Sequence, residues 1–132
     1  MDKKFLLVTE VIFMLTLVSE HRIYGCHKLK NQGGKCTQWH GHQYRVILTL
    51  KAPYKDLDYR NMIMDTYDIE AIFNEFIGVD HLNLNEFMDS EDPTMEEMSK
   101  FFYDGLKPKI ECLVSVGVYE TPETGVTYEP ME

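Results

Sequence analysis

The hydrophobic residues of this chain change their period twice, and that change constrains the fold more than any other feature. From His42 to Ala52 they alternate, with Tyr44, Val46, Leu48 and Leu50 on one face and Gln43, Arg45, Thr49 and Lys51 on the other. Ile47 alone breaks this pattern of a half-buried strand, and Pro53 ends it. From Asp68 to Ile77 the period becomes helical: Ile69, Ile72, Phe73, Phe76 and Ile77 share one face, and Gly78 is the stop signal. A second helix is expected from Thr94, where Thr94-Met95-Glu96-Glu97 has the form of a capping box and Met95, Met98, Phe102 and Leu106 supply an apolar side up to Pro108. Alternation returns from Ile110 to Thr121, with Ile110, Cys112, Val114, Val116 and Val118 on one face and Glu120 continuing it.

Phe5 to Val18 is rich in Val, Ile, Phe and Thr and reads as a long first strand. Ser19 to Gln38 carries Gly25, Asn31, Gly33 and Gly34 without periodicity, and reads as an unusually long loop. Gly125 to Tyr128 is expected to be a short last strand. The order is β-β-α-α-β-β, which predicts an α+β fold: a four-stranded antiparallel sheet with two helices on one face. Residues 1–132 fit one domain. The other sheet face then needs a partner or must meet solvent.

A formal charge of −9 argues against a general nucleic-acid binder. Lys3 and Lys4 before an apolar run imitate a signal peptide, but Glu10 interrupts the run and the polar Ser19-Glu20-His21 offers no cleavage site. The run is also too short to span a bilayer. Three cysteines, an odd number, suggest reduced thiols and a cytoplasmic protein.

Four of the five histidines stand in pointed contexts. His40 and His42 are two apart at the start of a strand, so both imidazoles point to one face and can reach one ion. His21, at the end of the first strand, completes a set of three if the two strands are neighbours. Three protein ligands with an open fourth position mark a catalytic zinc site. Taken alone, His-Gly-His is more often a polar loop joined to a strand. Cys36 lies four residues before His40 in a polar loop and has the profile of an accessible thiol, the kind that a nearby metal or imidazolium activates. A structural site of Cys26, His27 and Cys36 is the weaker alternative, because the paired short knuckles of such sites are missing. Asp80-His81 is a pair suited to general acid–base work, although such pairs in loops are usually inert. Glu120 ends an apolar face, where a carboxylate needs a partner; a guanidine-like edge with two parallel N–H donors would be one.

Six landmarks occur in order: Glu20-His21-Arg22-Ile23, Cys36-x3-His40-Gly41-His42, Met62-Ile63-Met64-Asp65, Asp80-His81-Leu82-Asn83-Leu84-Asn85, Pro93-Thr94-Met95-Glu96 and Tyr119-Glu120-Thr121. With them the chain resembles the 6-pyruvoyl-tetrahydropterin synthase/6-carboxy-tetrahydropterin synthase family of tunnelling-fold enzymes. The resemblance implies zinc held by His21, His40 and His42, Cys36 as catalytic base, and Asp80 and His81 as its partner dyad. It implies Glu120 as the anchor of a pterin ring, with Thr94 and Glu96 lining the pocket. It also implies 7,8-dihydroneopterin triphosphate as substrate. Trimers would join their sheets into a barrel and stack in pairs as a homohexamer, with sites between subunits. The Cys36-x3-His40 spacing looks like the bacterial 6-carboxy enzymes of queuosine synthesis; the 6-pyruvoyl enzymes and a pterin binder without turnover are the alternatives. Ser19 and Glu20 depart from the small residues usual before the first zinc histidine. Thr66, Tyr67 and an extra Cys26-His27 also depart from the family pattern.

Overall fold

The computed structural model describes residues 12–131. Five strands form one sheet in the order β3-β1-β2-β4-β5. They are β1 (Met14–His27), β2 (His40–Pro53), β3 (His81–Asn83), β4 (Leu113–Thr121) and β5 (Thr124–Tyr128). The helices are α1 (Thr66–Ile77), the single turn α2 (Leu84–Phe87) and α3 (Met95–Leu106). The α+β class is as expected, with one strand more than the sequence suggests. That strand, β3, has three residues and pairs in parallel with β1, Tyr24 opposite His81. The other strand pairs are antiparallel.

The first strand is displaced from its expected place. Of the stretch Phe5 to Val18, the part before residue 12 lies outside the described residues. β1 then runs on to His27, through half of what reads as loop. Both helices obey their signals. Asp65 caps α1 by accepting from the Tyr67 amide, and Gly78 closes it in the left-handed region at φ 78°. Thr94 caps α3 by accepting from the Glu97 amide. The Glu97 carboxylate does not complete a capping box; it accepts from the Ser90 hydroxyl at 2.9 Å.

The core lies between the helices and one face of the sheet. Tyr44, Val46, Leu48 and Leu50 of β2 meet Ile69 and Phe73 of α1 and Met98, Phe102 and Leu106 of α3, all of them buried. Each such side chain contributes roughly 1.5–3 kcal/mol by leaving water. The alternation expected from Ile110 to Thr121 is interrupted. Leu50 pairs with Leu113 but Thr49 pairs with Ser115, so Val114 is an extra residue, a β-bulge. One extra residue exchanges the faces. Leu113 is therefore buried with Val116 and Val118, while Cys112 and Val114 are half-buried. Among the described residues no helix is long and apolar enough to cross a membrane.

Candidate metal centre and pterin pocket

Register decides which histidines meet. In the β1–β2 ladder His27 faces His40, and Gly25 faces His42. Gly25 is buried beneath Tyr44 and Leu84; a Cβ there would stand 3.0 Å from Leu84 Cδ1 and 3.2 Å from Tyr44 Cε2. His40 and His42 are on the same strand face, and His27 reaches across from β1. The ring centroids are 4.4 Å apart for His27–His40, 5.4 Å for His27–His42 and 5.1 Å for His40–His42. One nitrogen of each ring lies within 4.8 Å of the others.

His21 does not belong to this cluster, which corrects the expected ligand set. It pairs with Val46, six residues back along β1 and about 20 Å from His27 by the rise of a strand. Its ring stacks on Phe73 of α1 at 4.4 Å, and its Nε2 is 2.8 Å from the Ser19 hydroxyl. His27 takes the third place. The departure noted before the first zinc histidine then disappears, because Gly25 and Cys26 are small residues. That signal, together with the excessive length of the supposed loop, points toward His27 in the sequence, but the strand register is what fixes it.

Two of the three imidazoles, His27 and His40, are held in one orientation by backbone carbonyls. His27 Nδ1 lies 3.0 Å from the Pro93 carbonyl, and His40 Nδ1 lies 2.8 Å from the Gln38 carbonyl. A carbonyl only accepts, so each Nδ1 carries the proton and each Nε2 keeps its lone pair for a ligand. Burial lowers the His27 pKa below the ordinary imidazole value, against the raising effect of the Pro93 bond. Burial, and then the Glu120 carboxylate, push the Tyr44 phenol well above its usual range, so it stays protonated. Its hydroxyl lies 3.3 Å from His27 Nε2. The donor set fits a zinc-like ion: three nitrogens on one side and open space on the other.

That space is a cavity of about 550 Å³. Cys36, Thr94, Glu96 and Glu120 line it with the three histidines. Cys36 stands in a short 3-10 turn, Gly34–Thr37, reached through Gly33 and Gly34 at φ 79° and 64°. Glu120 lines the cavity at a second irregularity of β4. Tyr119 pairs with Gly125 and Thr121 with Thr124, so Glu120 is left over as a bulge residue. Its Oε1 is 3.8 Å from His27 Nε2. Thr94 and Glu96 arrive on the first turn of α3. Asp80 and His81 are exposed at the sheet edge, His81 stacked with Tyr24 at 5.5 Å, and neither lines this cavity.

The model of one family, described as 6-pyruvoyl tetrahydropterin synthase, matches residues 16–131. The chain belongs to that family. A curated 6-pyruvoyl tetrahydrobiopterin synthase of Dictyostelium discoideum is 31% identical over 83% of this chain and 87% of its own length. A 6-carboxy-5,6,7,8-tetrahydropterin synthase of Synechocystis is 27% identical over 87% of this chain and 93% of its own. The solved 6-pyruvoyl tetrahydropterin synthase of Caenorhabditis elegans has the same fold, with a TM-score of 0.78 over 91% of this chain and 98% of that one, at 23% identity. The relatives are thus tetrahydropterin synthases, and the metal-ligand cluster and its cavity lie within the matched span.

Proposed function

We infer that this chain is a zinc-dependent 6-carboxy-5,6,7,8-tetrahydropterin synthase. It would convert 7,8-dihydroneopterin triphosphate and water to 6-carboxy-tetrahydropterin, acetaldehyde and triphosphate, in the cytoplasm and for 7-deazaguanine synthesis such as that of queuosine. The observation that carries this reading is the convergence of His27, His40, His42, Cys36 and Glu120 on one cavity. Zinc on the three imidazoles would act as a Lewis acid toward the hydroxyl oxygens of the substrate side chain.

The protein's own groups divide the remaining work. Glu120 accepts the paired N–H donors of the pterin edge, a bidentate match for a carboxylate. Thr94 and Glu96 line the same pocket. Cys36, which lines the cavity with the imidazoles, would take a proton from the side chain as the general base. Asp80 and His81 would return protons from the opposite side. Because they do not line the cavity of Cys36 within one protomer, the proposal takes them from a neighbouring copy. A homohexamer built as a dimer of trimers, each copy a single domain, supplies such neighbours. The exposed apolar side chains of β1, among them Met14 and Val18, support assembly through the sheet.

The 6-pyruvoyl reaction is the second reading, favoured by the Dictyostelium relative. It eliminates triphosphate and keeps all the side-chain carbons. The Cys36-x3-His40 spacing supports the carboxy reading. Zinc-loaded protein incubated with 7,8-dihydroneopterin triphosphate should release acetaldehyde and a 6-carboxy product by mass spectrometry. A 6-pyruvoyl product moves the assignment to the second reading, and binding without conversion removes both.

A further inference from the structure

The geometry points to Asn31 and Asp92 as a positioning clamp that holds the Cys36 loop in register with the histidine cluster. The inference rests on the reading of Cys36 as the reactive thiol. The segment between β1 and β2 has little reason of its own to keep one shape. None of the residues in the Cys36 turn is buried, and two successive glycines with positive φ lead into it. Its internal closure is the Leu29 amide on the Cys36 carbonyl at 2.7 Å. Beside Asn85 at its base and the His40 bond to the Gln38 carbonyl at its end, what ties it to the rest of the molecule is the segment from Glu91 to Asp92. The Lys30 amide donates to the Glu91 carbonyl at 3.3 Å. The Asn31 amide donates to Asp92 Oδ1 at 3.0 Å, and Asn31 Nδ2 donates to Asp92 Oδ2 at 2.5 Å.

The next residue of that segment holds the metal centre. Pro93 presents the carbonyl that fixes His27, and Thr94 begins α3. One short stretch therefore grips the thiol loop through Asp92 and the deepest imidazole through Pro93. Asp92 and Asn31 both line the cavity. A two-point, charge-assisted contact fixes orientation as well as distance. Exposed contacts of this type add little to global stability, so its effect falls on the position of Cys36 rather than on folding.

The test compares Asn31→Ala, Asp92→Ala and the double variant in zinc-loaded protein. Peptide-resolved iodoacetamide labelling should show Cys36 reacting at a changed rate in either single variant. The double variant should go no further than Asp92→Ala, which removes both hydrogen bonds, while Asn31→Ala leaves the one from its backbone amide. Zinc content and Tm should stay at wild-type values. With the triphosphate substrate, kcat should fall on the order of a hundredfold while KM is held. The exchange N31D with D92N reverses donor and acceptor across the side-chain bond and should restore both labelling and kcat. Unchanged Cys36 labelling in the single variants would overturn the clamp, as would effects that add in the double variant. A restored labelling rate without restored turnover assigns Asp92 a direct role toward the ligand and overturns positioning as its function. Labelling needs no substrate, so the clamp is judged even if the proposed reaction is not found.

Discussion

At the scale of single residues, two histidines of one strand have opposite fates. His21 and His27 both sit on the core side of β1, yet one stacks on Phe73 and the other faces His40. His21 is followed by Arg22 and so imitates a family landmark, while its surroundings are those of a packed core histidine. Burial lowers its pKa, with the carboxylates of Glu70 and Glu20 opposing. The consequence is measurable as metal content. His27→Ala should weaken zinc binding by more than about a hundredfold, beyond the cost of losing a mere supporting contact. His21→Ala should keep zinc at wild-type stoichiometry and lose stability instead, through the vacated stack on Phe73. Elemental analysis after dialysis against a weak chelator separates the two. Zinc lost from His21→Ala and kept by His27→Ala would reinstate the first ligand set.

At the scale of elements, the helices were legible because period and caps agreed: the Asp65 and Thr94 caps and the Gly78 stop stand where residue chemistry requires. β1 lies away from its expected place because it turns polar side chains toward the core. From Ser19 to His27 its core-side positions are Ser19, His21, Ile23, Gly25 and His27, of which Ile23 is the one large apolar residue. A strand that turns polar residues inward to build a site loses the alternation by which strands are recognised. β3 is too short to show a period, and the bulge at Val114 leaves no mark in composition. The histidine pair and Cys36 were legible from spacing; the third imidazole needed the register. Contact between helices supplies a sharper test. Gly105 lies inside α3, where alanine would ordinarily add about 1 kcal/mol. Here a Cβ would fall 2.2 Å from Phe76 Cε2 of α1. The Phe76 ring is confined by Phe87, Phe101 and Phe102, with centroids at 5.6, 6.1 and 5.7 Å. Gly105→Ala should therefore destabilise, by roughly 1–3 kcal/mol in urea titration, as an overpacked core does. A rise in stability would mean that the aromatic cluster yields freely.

At the scale of the whole molecule, the residues of the proposed reaction do not meet within one copy. Cys36 and the imidazoles open into a cavity on the helix-covered side of the sheet, while Asp80 and His81 stand at the edge strand β3. The face of β1 turned away from the helices carries Val18 and Tyr24, 63% and 49% exposed. An apolar sheet face and an uncovered edge are what a further copy would cover. If the dyad acts on a neighbour's cavity, Cys36→Ala and His81→Ala are each inactive but damage different halves of every shared site. Mixing them by unfolding and refolding at equal amounts should then regenerate intact sites. Random assembly pairs an undamaged thiol with an undamaged dyad in about a quarter of the sites of a closed symmetric oligomer. Turnover near that fraction of wild type, with light scattering showing one assembled species, is the expected result. Mixtures as inactive as the separate variants, in assemblies of the same mass, would place thiol and dyad in one protomer and require the segment around Asp80 to move toward Cys36 on binding.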